Sequence, residues 1–226
     1  MVNRKITAIK VQKHNPNRVN IYLDGEFSFG LARIVAAWLH VGQDLDEGKS
    51  AALRSQDEKE VAYQRALNLI SVRFRTKDEL EKHLREIGVS EEIISGTLER
   101  LDRSGLVNDL RFAQAWVENR SEFRPRSQRA LAYELRRKGV SADVIERTLE
   151  ETLPDAELAY QAASKQSRRL RDLEWPEFRR KLGDFLARRG FSYDTVAPVV
   201  GRVWAERRPT DTAEDNSSEH DREVLS

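Results

Sequence analysis

One spacing constrains this chain more than any other feature. Gly88, Gly139 and Gly190 stand 51 residues apart, and each opens the same short phrase: Gly88-Val89-Ser90, Gly139-Val140-Ser141 and Gly190-Phe191-Ser192. Leucines precede each glycine by eight and four residues (Leu80 and Leu84, Leu131 and Leu135, Leu182 and Leu186). Apolar residues follow each serine by four and eight (Ile94 and Leu98, Ile145 and Leu149, Val196 and Val200). A single register therefore fits three copies, as in repeat-built proteins.

The chemistry of one copy follows from that register. Apolar residues four apart share a helical face. A glycine just past the last turn takes the left-handed conformation that closes a helix. A serine two residues on can accept an N–H of the next helix, and acids in that helix's first turn (Glu91-Glu92, Asp143, Asp194) suit its dipole. A further helix precedes each pair. Its apolar positions are Val61, Ala62, Ala66, Leu67 and Ile70 in the first copy, and Phe112, Ala113, Trp116 and Val117 in the second. Leu158, Ala159, Ala162 and Ala163 fill them in the third. A three-helix unit of about 50 residues has a marginal core alone, so neighbours are expected to stack.

The joints before the middle helices also repeat. Arg73-Phe74-Arg75-Thr76-Lys77 matches Arg124-Pro125-Arg126-Ser127-Gln128, with Thr76 and Ser127 as helix caps. The third joint, Trp175-Pro176-Glu177-Phe178, replaces the cap with a proline in the first turn.

Upstream, Ile6–Val11 and Val19–Leu23 alternate apolar and polar residues as half-buried strands do. Asp24-Gly25 predicts a type I′ hairpin turn into Glu26–Phe29. A three-strand antiparallel meander is expected, leaning on a helix whose stripe is Ile34, Val35, Trp38 and Leu39, with Trp38 as lid. The fold class expected is mainly α: three tandem three-helix bundles in an elongated array behind a small N-terminal β-sheet with a helix. The boundaries are 1–54 for the sheet and helix, 55–105, 106–153 and 154–208 for the repeats, and 209–226 for a polar, acidic segment expected to be disordered.

Charge narrows the classes of function. The formal net charge is +1, yet residues 210–226 hold six acids and one base. Without them the chain has 38 basic and 32 acidic residues, a balance of +6, which suits nucleic acid or an acidic protein surface. There is no cysteine, which excludes disulfides, thiolate catalysis and cysteine-held zinc and makes the cytoplasm the simplest compartment. The N-terminus lacks a secretory signal pattern, and no apolar run is long enough to span a membrane. His14, His40, His83 and His220 have no metal-ligand spacing, and no phosphate loop or nucleophile elbow occurs. No enzyme activity, metal or cofactor is expected.

The candidate contact residues are the cations of the repeated joints, Arg73, Arg75, Lys77, Arg124 and Arg126. Those ahead of the closing glycines, Arg136, Arg137, Arg188 and Arg189, join them, although the helix dipole alone accounts for cations there. Asn108-Asp109 reads as a helix cap. Phe112, Trp116, Phe178 and Trp204 read as core.

With these motifs in place, the chain resembles the RecX family of RecA regulators over about residues 5–206. The resemblance is sharpest in Leu106-Val107-Asn108-Asp109-Leu110-Arg111-Phe112-Ala113, in the Arg124–Arg126 joint, and in Glu134-Leu135-Arg136-Arg137-Lys138-Gly139-Val140. Arg75-Thr76-Lys77-Asp78-Glu79-Leu80 and Tyr22-Leu23-Asp24-Gly25-Glu26-Phe27 add to it. It implies a monomeric modular protein that lies in the groove of a RecA–DNA filament, bridges neighbouring subunits, and modulates strand exchange, ATP hydrolysis and co-protease activity. The alternative partner is single- or double-stranded DNA bound directly. Against that stand Glu91, Glu92 and Glu99 in the third helix of the first copy and Asp143, Glu146, Glu150 and Glu151 in that of the second, which repel phosphate.

Overall fold

The computed structural model describes residues 3–207. The acidic stretch 209–226 and His220 lie outside the described residues. Strands β1 (Arg4–Gln12), β2 (Asn15–Leu23), β3 (Glu26–Ala32) and the short β4 (Asp44–Leu45) form an antiparallel sheet in the order β3-β2-β1-β4. β4 is an addition to the expected meander, paired to Arg4 and Lys5 of β1. The β2–β3 turn has positive φ at both Asp24 (52°) and Gly25 (92°), as a type I′ turn needs.

The segment after β3 differs from expectation. Residues 33–38 are turns, not a helix; Val35 and Ala36 are buried, but Ile34 is exposed and Trp38 is 89% exposed. Trp38 is no lid. Three consecutive turns cannot maintain a 3.6-residue face, so only part of that apolar set points inward. Helix α1 (Glu47–Val72) supports the sheet instead: Leu53 packs on the sheet's core, and Asp57 accepts hydrogen bonds from the Ala32 N–H (2.6 Å) and from Arg18 (2.8 Å). α1 is one unbroken helix of 26 residues that runs through residues 54 and 55. Its later turns bury Ala62 and Ala66 against α2 (Lys77–Glu86) and α3 (Glu91–Arg103), with Leu80, Leu84, Ile94 and Leu101.

The second copy is α4 (Asp109–Phe123), α5 (Gln128–Arg137) and α6 (Ala142–Glu150); the third is α7 (Asp155–Ser167), α8 (Trp175–Arg188) and α9 (Tyr193–Arg207). The leucines of the repeated register, Leu80, Leu84, Leu131, Leu135, Leu182 and Leu186, are all fully buried. Phe178 and Phe112 are buried as expected, and Trp204 packs tilted against Phe178 and Trp175 at ring distances of 5.0 and 5.3 Å. The closing glycines have φ of +81°, +76° and +91°. At Gly88 and Gly190 the N–H bonds go back three and, from the following residue, five positions, the pattern of a Schellman cap.

Serine does less than expected: Ser90 sits at the N-cap of α3 without a side-chain cap bond, and the Ser192 hydroxyl pairs with that of Thr195. The caps that form are Thr76 on Glu79 N–H, Ser127 on Ala130 N–H and Asn108 on Arg111 N–H.

By compactness the described chain forms two units. One holds the residues up to Phe112 with Lys138–Ser141, and the other holds Ala113–Arg137 with the residues from Ala142 on.

Candidate partner-binding corners

Each unit contains one of the repeated joints, and in each unit the joint seats on a closing-glycine junction from the next copy. In the first, Thr76 is fully buried and its hydroxyl donates to the Lys138 carbonyl (2.6 Å), one residue before Gly139. In the second, the backbone N–H of the fully buried Ser127 donates to the Arg189 carbonyl (3.2 Å), one residue before Gly190. A Cβ added at Gly139 would overlap Asp78; one at Gly190 would lie 2.7 Å from the Ser127 hydroxyl and 2.9 Å from Ala130 Cβ. At Gly88, which receives no such joint, a Cβ would meet nothing within 4 Å. Glycine at 139 and 190 thus serves twice, for its positive φ and for close approach.

A second tie repeats as well. The carboxylate of Asp109, at the start of α4, accepts the Lys77 N–H (3.0 Å); that of Asp155, at the start of α7, accepts the Gln128 N–H (2.7 Å). Each acid caps the middle helix of the copy before its own. Burial raises the pKa of Asp109 above its ordinary value, partly offset by the Lys77 N–H. The sequence places Asp109 in its own helix's cap, whereas Asn108 alone does that work.

The same interlock decides how the joint cations are used. In the first corner they are largely neutralised. Arg73 pairs with Glu79 (2.9 Å), which Lys138 also reaches (2.7 Å); Lys77 pairs with Asp102 (3.0 Å), and Arg75 Nε donates to the Leu69 carbonyl (3.3 Å). Burial pushes the Glu79 pKa up, but the bonds from Arg73 and Lys138 outweigh it and hold the carboxyl below its ordinary value.

The second corner keeps its charge. The Arg189 guanidinium donates to the Pro125 carbonyl (2.9 Å), which brings it between Arg124 and Arg126. Burial, then the charges of Arg126 and Arg124, lower the Arg189 pKa from its ordinary value, the signature of like charges gathered together. Of the three only Arg126 has an acid, Glu134 (2.9 Å), and Glu134 is shared with Arg120 and the Trp116 indole N–H, each at 2.9 Å. Arg124 is exposed and forms no ion pair among the described residues; the same holds for Arg136, Arg137 and Arg188 at their helix ends. Exposed apolar side chains flank both joints: Val72 (79%) and Phe74 (75%) at the first, Phe123 (64%) at the second. Sequence spacing found the arginines but missed Glu79 and Glu134, which sort them into engaged and free.

Among the described residues no group of acids and histidines is arranged to hold a metal ion, and no helix is long and apolar enough to cross a membrane.

Four domain descriptions match along the chain: the regulatory protein RecX N-terminal domain over residues 4–46, and the first, second and third three-helix domains of RecX over 62–101, 108–149 and 154–200. The regulatory protein RecX of Bacillus cytotoxicus is 32% identical over 210 residues, spanning 89% of this chain and 78% of that protein. The chain belongs to the RecX family. The Limosilactobacillus reuteri member is 34% identical, over 88% of this chain and 76% of its own. A crystal structure of regulatory protein RecX aligns with a TM-score of 0.68 at 32% identity, over 87% of this chain and 98% of that one. The RecX from Lactobacillus salivarius aligns with a TM-score of 0.58 at 25% identity, over 66% and 99%. The three-helix domains of RecX therefore coincide with the repeats marked by the glycine register, and the N-terminal domain of RecX with the sheet.

Proposed function

We propose that this chain regulates a RecA recombinase by binding the RecA–DNA filament in its groove, and that its effect on strand exchange, ATP hydrolysis and co-protease activity is inhibitory. The observation that supports this most is the second corner, where Arg124, Arg126 and Arg189 converge with one shared acid among them and Phe123 exposed alongside. Arginine forks bind carboxylates and phosphates bidentately, so such a corner suits acidic side chains of a protein polymer or the phosphates it carries. The first corner, already paired internally, contributes shape and apolar contact more than charge. Arg136, Arg137 and Arg188 are supplementary contacts. On this reading the protein works in the cytoplasm, as a monomer, without cofactor or catalysis, in recombination and the DNA-damage response.

The test compares the wild type with Arg124→Glu and with Arg73→Glu. Binding is measured to RecA filaments assembled on single-stranded DNA and to the same DNA bare. Arg124→Glu is expected to weaken filament binding by about 10–100-fold, the range for loss of a charge-assisted contact of 1.5–3 kcal/mol. Arg73→Glu is expected to cost little of the charge term, because Arg73 is spent on Glu79. Equal binding to filament and bare DNA, with a steep salt slope, would favour direct DNA binding instead.

A further inference from the structure

α8 and α9 run antiparallel: Trp175 and Phe178 meet Trp204, while Gly183 faces Val196. Between their outer faces lies an open groove of about 790 Å³ in the second unit. Its walls are Trp175, Phe191, Val196 and Val200, with the exposed ring of Tyr193 at one end and Arg179 and Arg180 at the other. Gly183 and Gly201 form part of the lining, and a Cβ at Gly201 would meet nothing within 4 Å. Glycine is a poor interior helix residue, so two of them in facing helices sacrifice helix stability where side chains would have filled the groove.

α9 delivers the chain to this groove. Arg207 Nη2 donates to the Leu173 carbonyl (3.3 Å), just before α8, so the backbone leaves α9 at the Trp175–Arg179 end. The residues that follow carry Asp211, Glu214, Asp215, Glu219, Asp221 and Glu223 against Arg208 and Arg222, and then Val224-Leu225. Residues 155–207 hold eleven bases against eight acids. Asp211, Glu214 and Asp215 lie four to eight residues past Arg207, a reach of roughly 13–29 Å at full extension, whereas Arg179 and Arg180 are only about 6–8 Å along α8 from Trp175. Val224-Leu225 can span the full length of α9, about 22 Å, to Tyr193 with chain to spare. Asp184 also borders the groove and disfavours an acidic occupant locally; Glu177 at its mouth is engaged by Lys181 (2.8 Å).

We propose that the acidic segment 211–225 of this same chain seats in the α8–α9 groove, its first acids on Arg179 and Arg180 and its apolar Val224-Leu225 toward Tyr193. The groove is then a self-occupied site, open to an outside acidic and apolar peptide only after the segment is displaced. This inference does not depend on what the arginine corner binds.

Because the chain has no cysteine, Ser217→Cys places a single nitroxide label in the segment of the otherwise intact protein. At low salt the amide peaks of Gly183, Ala197 and Gly201 are expected to be lost by relaxation from the label. Raising the ionic strength is expected to restore them in part. Arg179→Glu/Arg180→Glu, at two exposed positions, and Gly201→Leu, which fills the groove, are each expected to restore them with the rest of the spectrum unchanged. Unaffected groove peaks in the wild type, or loss centred on Arg124–Gln128, overturns the proposal. Loss that persists in both variants does so too. Loss that appears only when labelled and isotope-enriched molecules are mixed assigns the groove to a second copy and overturns the intramolecular seat.

Discussion

Replacing each closing glycine by alanine separates two costs that the three positions combine differently. Forcing alanine into the left-handed region costs about 1–2 kcal/mol wherever it is done. At Gly88 that is the whole cost, since the new methyl meets open space. At Gly190 the methyl would stand 2.7 Å from Ser127 Oγ and 2.9 Å from Ala130 Cβ, and at Gly139 it would overlap Asp78 Cβ and Cγ. These neighbours are the first turns of α5 and α2, not the free ends of long side chains, so the joint itself must shift. Overpacking of that kind adds about 1–3 kcal/mol. Gly88→Ala is therefore expected at about 1–2 kcal/mol, and Gly139→Ala and Gly190→Ala at about 2–5 kcal/mol. For a chain of this size a kcal/mol moves Tm by about 2–4 °C, so the second pair should melt several degrees below the first variant. Thermal unfolding followed by circular dichroism measures this directly. Asp78→Gly, placed on Gly139→Ala, should recover part of the extra loss. The interlock would be refuted by three equal shifts, or by Gly88→Ala as the most damaging of the set.

Thr76→Ala and Ser127→Ala each remove a buried cap and should cost about 0.5–2 kcal/mol, with Thr76 the larger because its hydroxyl also holds the Lys138 carbonyl; urea unfolding midpoints check the order. The Glu79 carboxyl has a folded pKa below its ordinary 4.5, so its link to Lys138 and Arg73 stabilises above the unfolded value and fades as pH falls through the folded one. Glu79→Gln should accordingly flatten the stability-against-pH curve below about pH 4.5 while lowering stability at neutral pH, and an unchanged acid limb would contradict the pairing. Trp38→Ala should change stability by no more than about 0.5 kcal/mol, since the ring is out in solvent; a loss of several kcal/mol would restore the lid that the sequence suggested.

The parts of this fold that sequence made legible are those written in short-range periodicity. Leu131 and Leu135 four residues apart, with Gly139 four further on, carry a helix and its stop in nine residues. The same pattern twice more fixes the number of bundles. What periodicity could not convey is contact between copies. Thr76 and Lys138 are 62 residues apart, and equivalence under a 51-residue shift says that two sites are alike, not that they touch. Asp109 and Asp155 perform one task yet stand 46 residues apart, because the stretch from the closing glycine to the next helix is five residues shorter in the second copy. A search at the dominant period passes over them. The arginine corner was half legible for the same reason: its cations share a spacing, while the acids that silence some of them, Glu79 and Glu134, do not. Trp38 misled because a large apolar residue near a helical spacing reads as buried, and only the run of turns after β3 reveals that no helix exists to turn it inward.

The unbroken course of α1 has a consequence for how the molecule opens. Its early turns hold the sheet through Leu53 and Asp57, and its later turns hold the first bundle through Ala62 and Ala66, with no loop between in which one half could fray without loosening the other. Sheet and first bundle thus constitute one foldon. Slow amides on β2 and on α3, though far apart in the chain, should exchange with a common free energy and lose protection together.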